Sequence, residues 1–288
     1  MKLKTVLLSI AISAVCFAQA PPPAFTPGQL DQLVQRIALY PDPLLAQVLS
    51  ASTFADEIPD AAKWADDHHY LTGDALAQAI TADQLPWDPS VQALLPFPTV
   101  LGNMAADINW ATQLGNAVLA QRPDVMDAVQ RERALAMNYG YLKSSARVLI
   151  ARDGAFITIL PANPAFIYVP FYDPGVVFVA PRPGIVVGAA VNFGFGFSIG
   201  LAFQPWGWGA TRIDWVSHGW LIHGAVWGRT WANRAVYVHT YPGLKRFDRP
   251  GVRAAAVAPH PEGHKLVERS PKERESDRTG GRREEEHR

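Results

Sequence analysis

Residues 147–174 read RVLIARDGAFITILPANPAFIYVPFYDP, and the fold class turns on them. Val148, Leu149 and Ile150 form one apolar run, and residues 156–160 form a second. Between them stands Asp153-Gly154, a dipeptide that accepts the positive φ angles of a tight hairpin turn. Ala162-Asn163-Pro164 then interrupts the chain, because proline offers no N–H to a strand ladder. A third run, Phe166-Ile167-Tyr168-Val169, is closed by Pro170 and by Asp173-Pro174. The stretch predicts a small antiparallel sheet of three strands. A lone hairpin is barely stable in water, so the sheet needs a surface to pack on. Asp153 and Asp173 both stand in turn contexts, which assigns their carboxylates to turn chemistry rather than catalysis.

The surface is expected from the chain ahead of it, which is patterned for helices. Thr26-Pro27-Gly28-Gln29 is a helix start: threonine can cap, proline fits the first helical position, and glutamine falls where a capping box needs it. Leu30, Leu33, Val34 and Ile37 follow at helical spacing. Tyr40-Pro41-Asp42-Pro43 stops that helix and starts another, with Asp42 as its expected N-cap and Leu45, Val48 and Leu49 as its buried face. Further helices are expected over residues 60–67, with Trp64 turned inward, and over 74–82. Asp88-Pro89, Pro98 and Pro123 start three more, the stretch from Pro98 continuing or kinking near Trp110. No fixed period recurs, which argues for a compact bundle and against a repeat array.

Behind the sheet the texture changes. Residues 184–203, GIVVGAAVNFGFGFSIGLAF, carry no charge. Their length would span a bilayer, and Gly184/Gly188 and Gly196/Gly200 have helix-packing spacing. Phe193, Phe195 and Phe197, however, alternate with glycines at a period of two. That puts the rings on one face of a strand, and strand or ribbon is the preferred reading over a membrane helix. Six of the nine tryptophans follow: Trp206, Trp208, Trp215, Trp220, Trp227 and Trp231. Exposed, they would form a stacking surface for sugar rings or a protein partner. Buried, they would build the core of the second half, and that is the reading favoured for most of them. Residues 244–288 are rich in Arg, Glu and Pro with few large apolar side chains, a composition that predicts disorder.

The first 18 residues have the pattern of a secretory signal. Lys2 and Lys4 precede an apolar core too short to span a bilayer, and Ala18 suits cleavage. A lipoprotein reading of Cys16 needs a small residue before it, and Val15 is there. With Cys16 removed, the exported chain would have no thiol, and so no disulfide, thiolate nucleophile or cysteine-bound zinc. Overall 49% of residues are hydrophobic and 18% charged, with a formal net charge of zero. Acidic residues dominate between 21 and 145, and the balance beyond 245 is only weakly basic. Neither half offers the basic surface that nucleic-acid binding requires.

The segments IALYPDPLLAQVLSAST (37–53), WDPSV (87–91), FPTVLGNM (97–104), WATQLG (110–115), DVMDAVQRER (124–133) and PANPAFIYVPFYDP (161–174) carry a resemblance. In this order they resemble the bacterial family called domain of unknown function 3300. The resemblance covers residues 26–174. It implies an exported envelope protein with a helical-plus-strand domain, and it brings no catalytic residue.

Motifs for chemistry are sparse. Asp66-Asp67-His68-His69 is the most ligand-like cluster, but successive helical residues point apart and make a poor single site. His218, His223 and His239 lie in a glycine-rich context with no evident frame for a metal. There is no Walker loop or H-E-x-x-H, and GFGFSIG does not fit the dinucleotide fingerprint. No catalytic residue, metal ligand or cofactor is assigned.

These observations predict an α+β protein divided as follows. A signal peptide (1–18) and an extended lead-in (19–25) precede a helical bundle with a small antiparallel sheet (26–174). A strand-like glycine- and aromatic-rich segment (175–243) and a disordered tail (244–288) complete it. The function expected is a non-enzymatic structural or interaction module of the cell envelope, periplasmic or secreted, engaging a protein or a cell-wall polymer. Two alternatives stay open: a glycan-binding protein or polysaccharide hydrolase, for which paired acids are defined only by distance in space, and a membrane-associated protein inserting residues 184–203.

Overall fold

The computed structural model describes residues 20–181 and 190–244. The expected signal peptide, residues 184–189 of the uncharged stretch, and residues 245–288 of the tail lie outside the described residues. Eight α-helices are found among the described residues, and the expected α+β class holds: helices come first and small antiparallel sheets follow. The helices are α1 (Pro27–Val34), α2 (Asp42–Ser52), α3 (Ile58–Asp67), α4 (Gly73–Ala82), α5 (Pro89–Gln92), α6 (Pro98–Ala106), α7 (Ile108–Asn138) and, after three strands, α8 (Pro174–Val177). The strands are β1 (Val148–Asp153), β2 (Phe156–Pro161), β3 (Phe166–Tyr172), β4 (Val191–Ser198), β5 (Thr211–Asp214), β6 (Gly219–Ile222) and β7 (Ala225–Val226). A short 3-10 segment, Leu201–Trp206, joins β4 to β5.

Local signals set most helix ends. The Thr26 hydroxyl accepts from the Gln29 N–H, and the Gln29 side chain accepts from the Thr26 N–H at 2.8 Å, a complete capping box. Asp88 caps α5 through the Ser90 N–H, and Asp173 caps α8 through the Gly175 N–H. The expected kink near Trp110 falls at Asp107, whose carboxylate accepts from the Trp110 N–H and so starts α7. Inside α7, Gln121 leaves helical geometry (φ −139°, ψ 40°) two residues before Pro123. Proline cannot donate to the carbonyl four residues back. That carbonyl, of Leu119, accepts instead from the Trp231 N–H at 2.9 Å.

Two helical expectations are corrected. Asp42 does not cap α2: Pro41 holds the N-cap position, and Asp42 is the first helical residue with its carboxylate buried. Trp64 is only half buried; it stacks on His68 at 3.9 Å and donates to the Asp83 carboxylate.

The sheet is corrected as well. β1 and β2 form the expected antiparallel hairpin, with Asp153 opposite Phe156 and Gly154 in the turn at φ +59°. β3 does not extend it. The edge of β2 away from β1 is taken by helix side chains. Gln130 accepts from the Ile157 N–H and donates to the Ile157 carbonyl, Arg133 donates to the same carbonyl, and Asp42 accepts from the Ile159 N–H. A strand edge so covered has nothing left to pair. β3 pairs instead with β4, antiparallel, with an irregularity between Tyr168 and Pro170. This bulge also breaks the expected alternation of rings: Phe193 is buried, Phe197 packs on Phe97, and Phe195 is 93% exposed. Residues 191–198 are thus strand, and among the described residues no helix is long and apolar enough to cross a membrane.

One hydrophobic cluster runs from Leu30 through Ile157 and Phe193 to Tyr241, so the boundary drawn at residue 174 does not separate two cores. Close approach of helices inside it has a measurable signature. A Cβ on Gly115 would fall 2.0 Å from the Ser52 carbonyl oxygen, a backbone atom that cannot step aside. Gly102, exposed on α6, has nothing within 4 Å. Gly115→Ala is expected to lower stability by about 1–3 kcal/mol through overpacking. Gly102→Ala is expected to raise it by about 0.5–1 kcal/mol through helix propensity alone. Paired urea titrations would read the opposite signs.

Candidate functional site

Four separated pieces of sequence meet around a cleft of about 350 Å³. The turn after α1 supplies Arg36, Ile37 and Tyr40, α6 supplies Val100, Asn103 and Met104, the α6–α7 junction supplies Asp107 and Trp110, and the end of β3 supplies Pro170, Phe171 and Tyr172. Residues 100, 103 and 104 share one helical face by their spacing. Tyr40 is placed by Pro41, which ends the preceding turn. Phe171 lies opposite Asn192 in the β3–β4 register and is 85% exposed.

The walls are fixed by hydrogen bonds that stay inside the fold. The Trp110 indole donates to the Leu33 carbonyl at 2.8 Å. The Tyr172 hydroxyl donates to the Gln35 carbonyl at 2.7 Å and accepts from the Leu39 N–H; burial pushes its pKa well above the ordinary tyrosine value. Arg36 pairs with Asp107 at 2.9 Å and also lies over the Trp110 ring at 5.1 Å. The Trp110 N–H first, and Arg36 second, hold the Asp107 carboxyl below its usual range. The cleft is therefore a rigid aromatic trough with one cation and one anion at its side.

The six tryptophans singled out from sequence do not make an open platform. Trp206, Trp208, Trp215, Trp220 and Trp227 are buried, and Trp231 is half buried under the Arg234 guanidinium at 3.8 Å. Four indoles donate into the helical half: Trp206 to Gln92, Trp208 to the Ala93 carbonyl, Trp215 to Asp42 and Trp220 to Ser50. Trp220 and Trp227 stack at 5.1 Å, with Arg122 over both. They are bolts between the two halves of the chain. Trp206 also contributes to the wall of a second, larger cavity.

The histidines are spoken for locally. His68 and His69 each reach a carbonyl of their own helix, those of Trp64 and Asp66. His218 meets Asp127 at 2.9 Å, His223 meets the Pro205 carbonyl, and His239 bridges Tyr237 and the Ile222 carbonyl. Among the described residues no group of three or more His, Cys, Asp or Glu is placed to hold a metal ion.

Two buried carboxyls have raised pKa values. Burial pushes Glu57 up to about 8; its oxygen accepts the Asp88 N–H at 2.6 Å. Burial pushes Glu132 up to about 7; one of its oxygens accepts from Gln35 and the other has no hydrogen-bond partner. The groups acting on Glu57 are Asp88, Asp56 and Arg229, and those on Glu132 are Gln35, Asp31 and Arg131, so the two share no neighbour.

Sequence reasoning missed Tyr40, Trp110, Phe171 and Tyr172 as a group. The available signal was that the resemblance rests on IALYPDP, FPTVLGNM, WATQLG and PFYDP, and all four segments line this cleft.

The family described as "Protein of unknown function (DUF3300)" matches residues 26–239. The match extends past the 26–174 segment expected from motifs and takes in the tryptophan-rich segment. An Escherichia coli (strain K12) protein, "Uncharacterized protein YacH", is 36% identical over 223 residues, covering 62% of this chain. The match spans 36% of that relative's own length. No solved structure matches the chain. With a family match over most of its length, enclosing both the helical bundle and the strands bolted to it, the chain belongs to the DUF3300 family.

Proposed function

We propose that this chain is a non-enzymatic interaction module of the bacterial cell envelope, exported by its first 18 residues, and that the aromatic cleft is its contact face for a protein partner. The observation that carries the reading is Phe171. A phenylalanine 85% exposed beside Tyr40, Trp110, Tyr172 and Arg36 leaves apolar surface in water at the mouth of a preformed trough. Tryptophan, tyrosine and arginine in a well-packed pocket are the residue types that dominate protein–protein hot spots. Since the walls are already fixed by internal hydrogen bonds, a partner side chain would enter without ordering them, which lowers the entropic cost of binding.

The test places a photo-crosslinking amino acid at Phe171 in living cells, with Val236, exposed but outside the cleft, as the control position. The expected result is one adduct of reproducible mass at 171, absent at 236 and lost with Arg36→Glu. Identical patterns at the two positions would count against the cleft. Export is read separately: the periplasmic protein is expected to begin at Gln19, and a cytoplasmic chain retaining residues 1–18 would overturn that part.

A further inference from the structure

A cavity of about 730 Å³ lies elsewhere, between α4, the segment leading into α5, and the 3-10 segment before β5. Its size is that of a small-molecule site. Leu85, Trp87 and Trp206 supply apolar wall, while Asp74, Gln78 and Gln84 supply polar groups. The Trp206 indole is fixed by donation to Gln92, and the Gln92 amide is spent on the Leu85 and Trp87 carbonyls, so this wall is rigid.

The polar groups are in the opposite condition. The side chains of Asp74, Gln78 and Gln84 line the cavity and are solvent exposed, so their donors and acceptors face water there. Asp74 and Gln78, four apart on α4, share one helical face. Gln84 has φ +49°, a left-handed conformation that a non-glycine residue adopts at an energetic cost and that recurs at ligand sites. Asp74 is the one charged side chain among the described lining residues.

We propose that this cavity binds an uncharged pyranose saccharide. A pyranose has an apolar ring face suited to contact with an indole, and a hydroxyl edge that both donates and accepts. Two carboxamides and a carboxylate meet such an edge with both kinds of partner. The site is distinct from the aromatic cleft, which shares no lining residue with it.

The experiment titrates the full exported chain with chitotetraose and with maltotetraose, following tryptophan fluorescence and heat. Saturable binding of either is expected. Trp87→Ala is expected to weaken it by about tenfold or more, the effect of losing an aromatic anchor. Gln78→Leu, an exposed substitution that keeps the helix, is expected to weaken it as well, which guards against misfolding in the Trp87 variant. Flat titrations with both saccharides overturn the proposal. Binding unchanged in both variants overturns the site, and saturable uptake of decanoate in place of either saccharide overturns the ligand class.

Discussion

Arg133→Met is expected to lower stability by about 3–5 kcal/mol, the usual cost of stranding one half of a buried ion pair. Arg133 is fully buried and its guanidinium makes four hydrogen bonds. It pairs with Asp42 at 2.7 Å, donates to the carbonyls of Ala38, Tyr40 and Ile157, and lies over the Trp215 ring at 4.9 Å. Asp42 in turn accepts from the Ile159 N–H and the Trp215 indole. One ion pair therefore ties the turn after α1, the start of α2, the middle of the hairpin and the tryptophan-rich segment to α7. Methionine fills much of the volume but leaves a carboxylate and three carbonyls short of donors. The double variant Arg133→Met/Asp42→Leu is expected to recover part of the loss, because it removes the stranded charge. Urea unfolding with an unchanged m-value would establish both numbers. A loss under about 1 kcal/mol for the single variant would show that the pair does not hold these elements together.

Stability is also expected to fall as pH rises from about 4.5 to about 8, and Glu57→Gln is expected to flatten most of that slope. The sign follows from the direction of the shift. A carboxyl near 4.5 in the unfolded chain and near 8 in the folded one binds more protons when folded. Its contribution is full below 4.5, declines through the window and is gone above about 8. The slope for one such group reaches about 1.4 kcal/mol per pH unit at most. Glu132 acts in the same direction between 4.5 and about 7. His239 acts oppositely: burial lowers its pKa, so its contribution is lost as pH falls below the ordinary histidine value. Comparing Glu57→Gln with the parent chain at pH 5 and 8 isolates the first term. Glutamine keeps an acceptor for the Asp88 N–H without a charge to bury. Parallel pH profiles for the two proteins would refute the assignment.

What was legible in advance was legible because it is local. A capping box involves four consecutive residues, and the Thr26–Gln29 contacts follow from their spacing alone. The Asp153-Gly154 turn is equally self-contained: glycine reaches φ +59° without steric cost, and the flanking strands then pair in the only register the turn allows. The helix start at Asp88 was legible for the same reason; Asp173 was read as a turn residue, and in the fold it caps the short helix α8. Asp42 was not. Its neighbours describe a helix start, and only the arrival of Arg133, 91 positions later, turns the carboxylate inward. The three-stranded sheet failed in the same manner. Nothing in residues 147–174 reveals that Gln130, Arg133 and Asp42 will occupy the edge that β3 would need. The bulge opposite Tyr168 and Pro170 likewise sends Phe195 outward while leaving Phe193 and Phe197 inward, which a strict period of two cannot anticipate.

The amino-acid order alone determined the helix starts, the hairpin turn, the α+β class and the family, since each depends on neighbours within a few residues or on motifs in series. The tertiary structure decided which groups meet. It buried five of the six tryptophans and gave four of their indoles acceptors in the helical half, handed β3 to β4, and gathered Arg36, Tyr40, Trp110 and Phe171 into one cleft. The physical reason is common to all three. Burial and hydrogen-bond satisfaction are settled between residues far apart in the chain, and a buried donor or a strand edge takes whichever partner the packed elements bring to it.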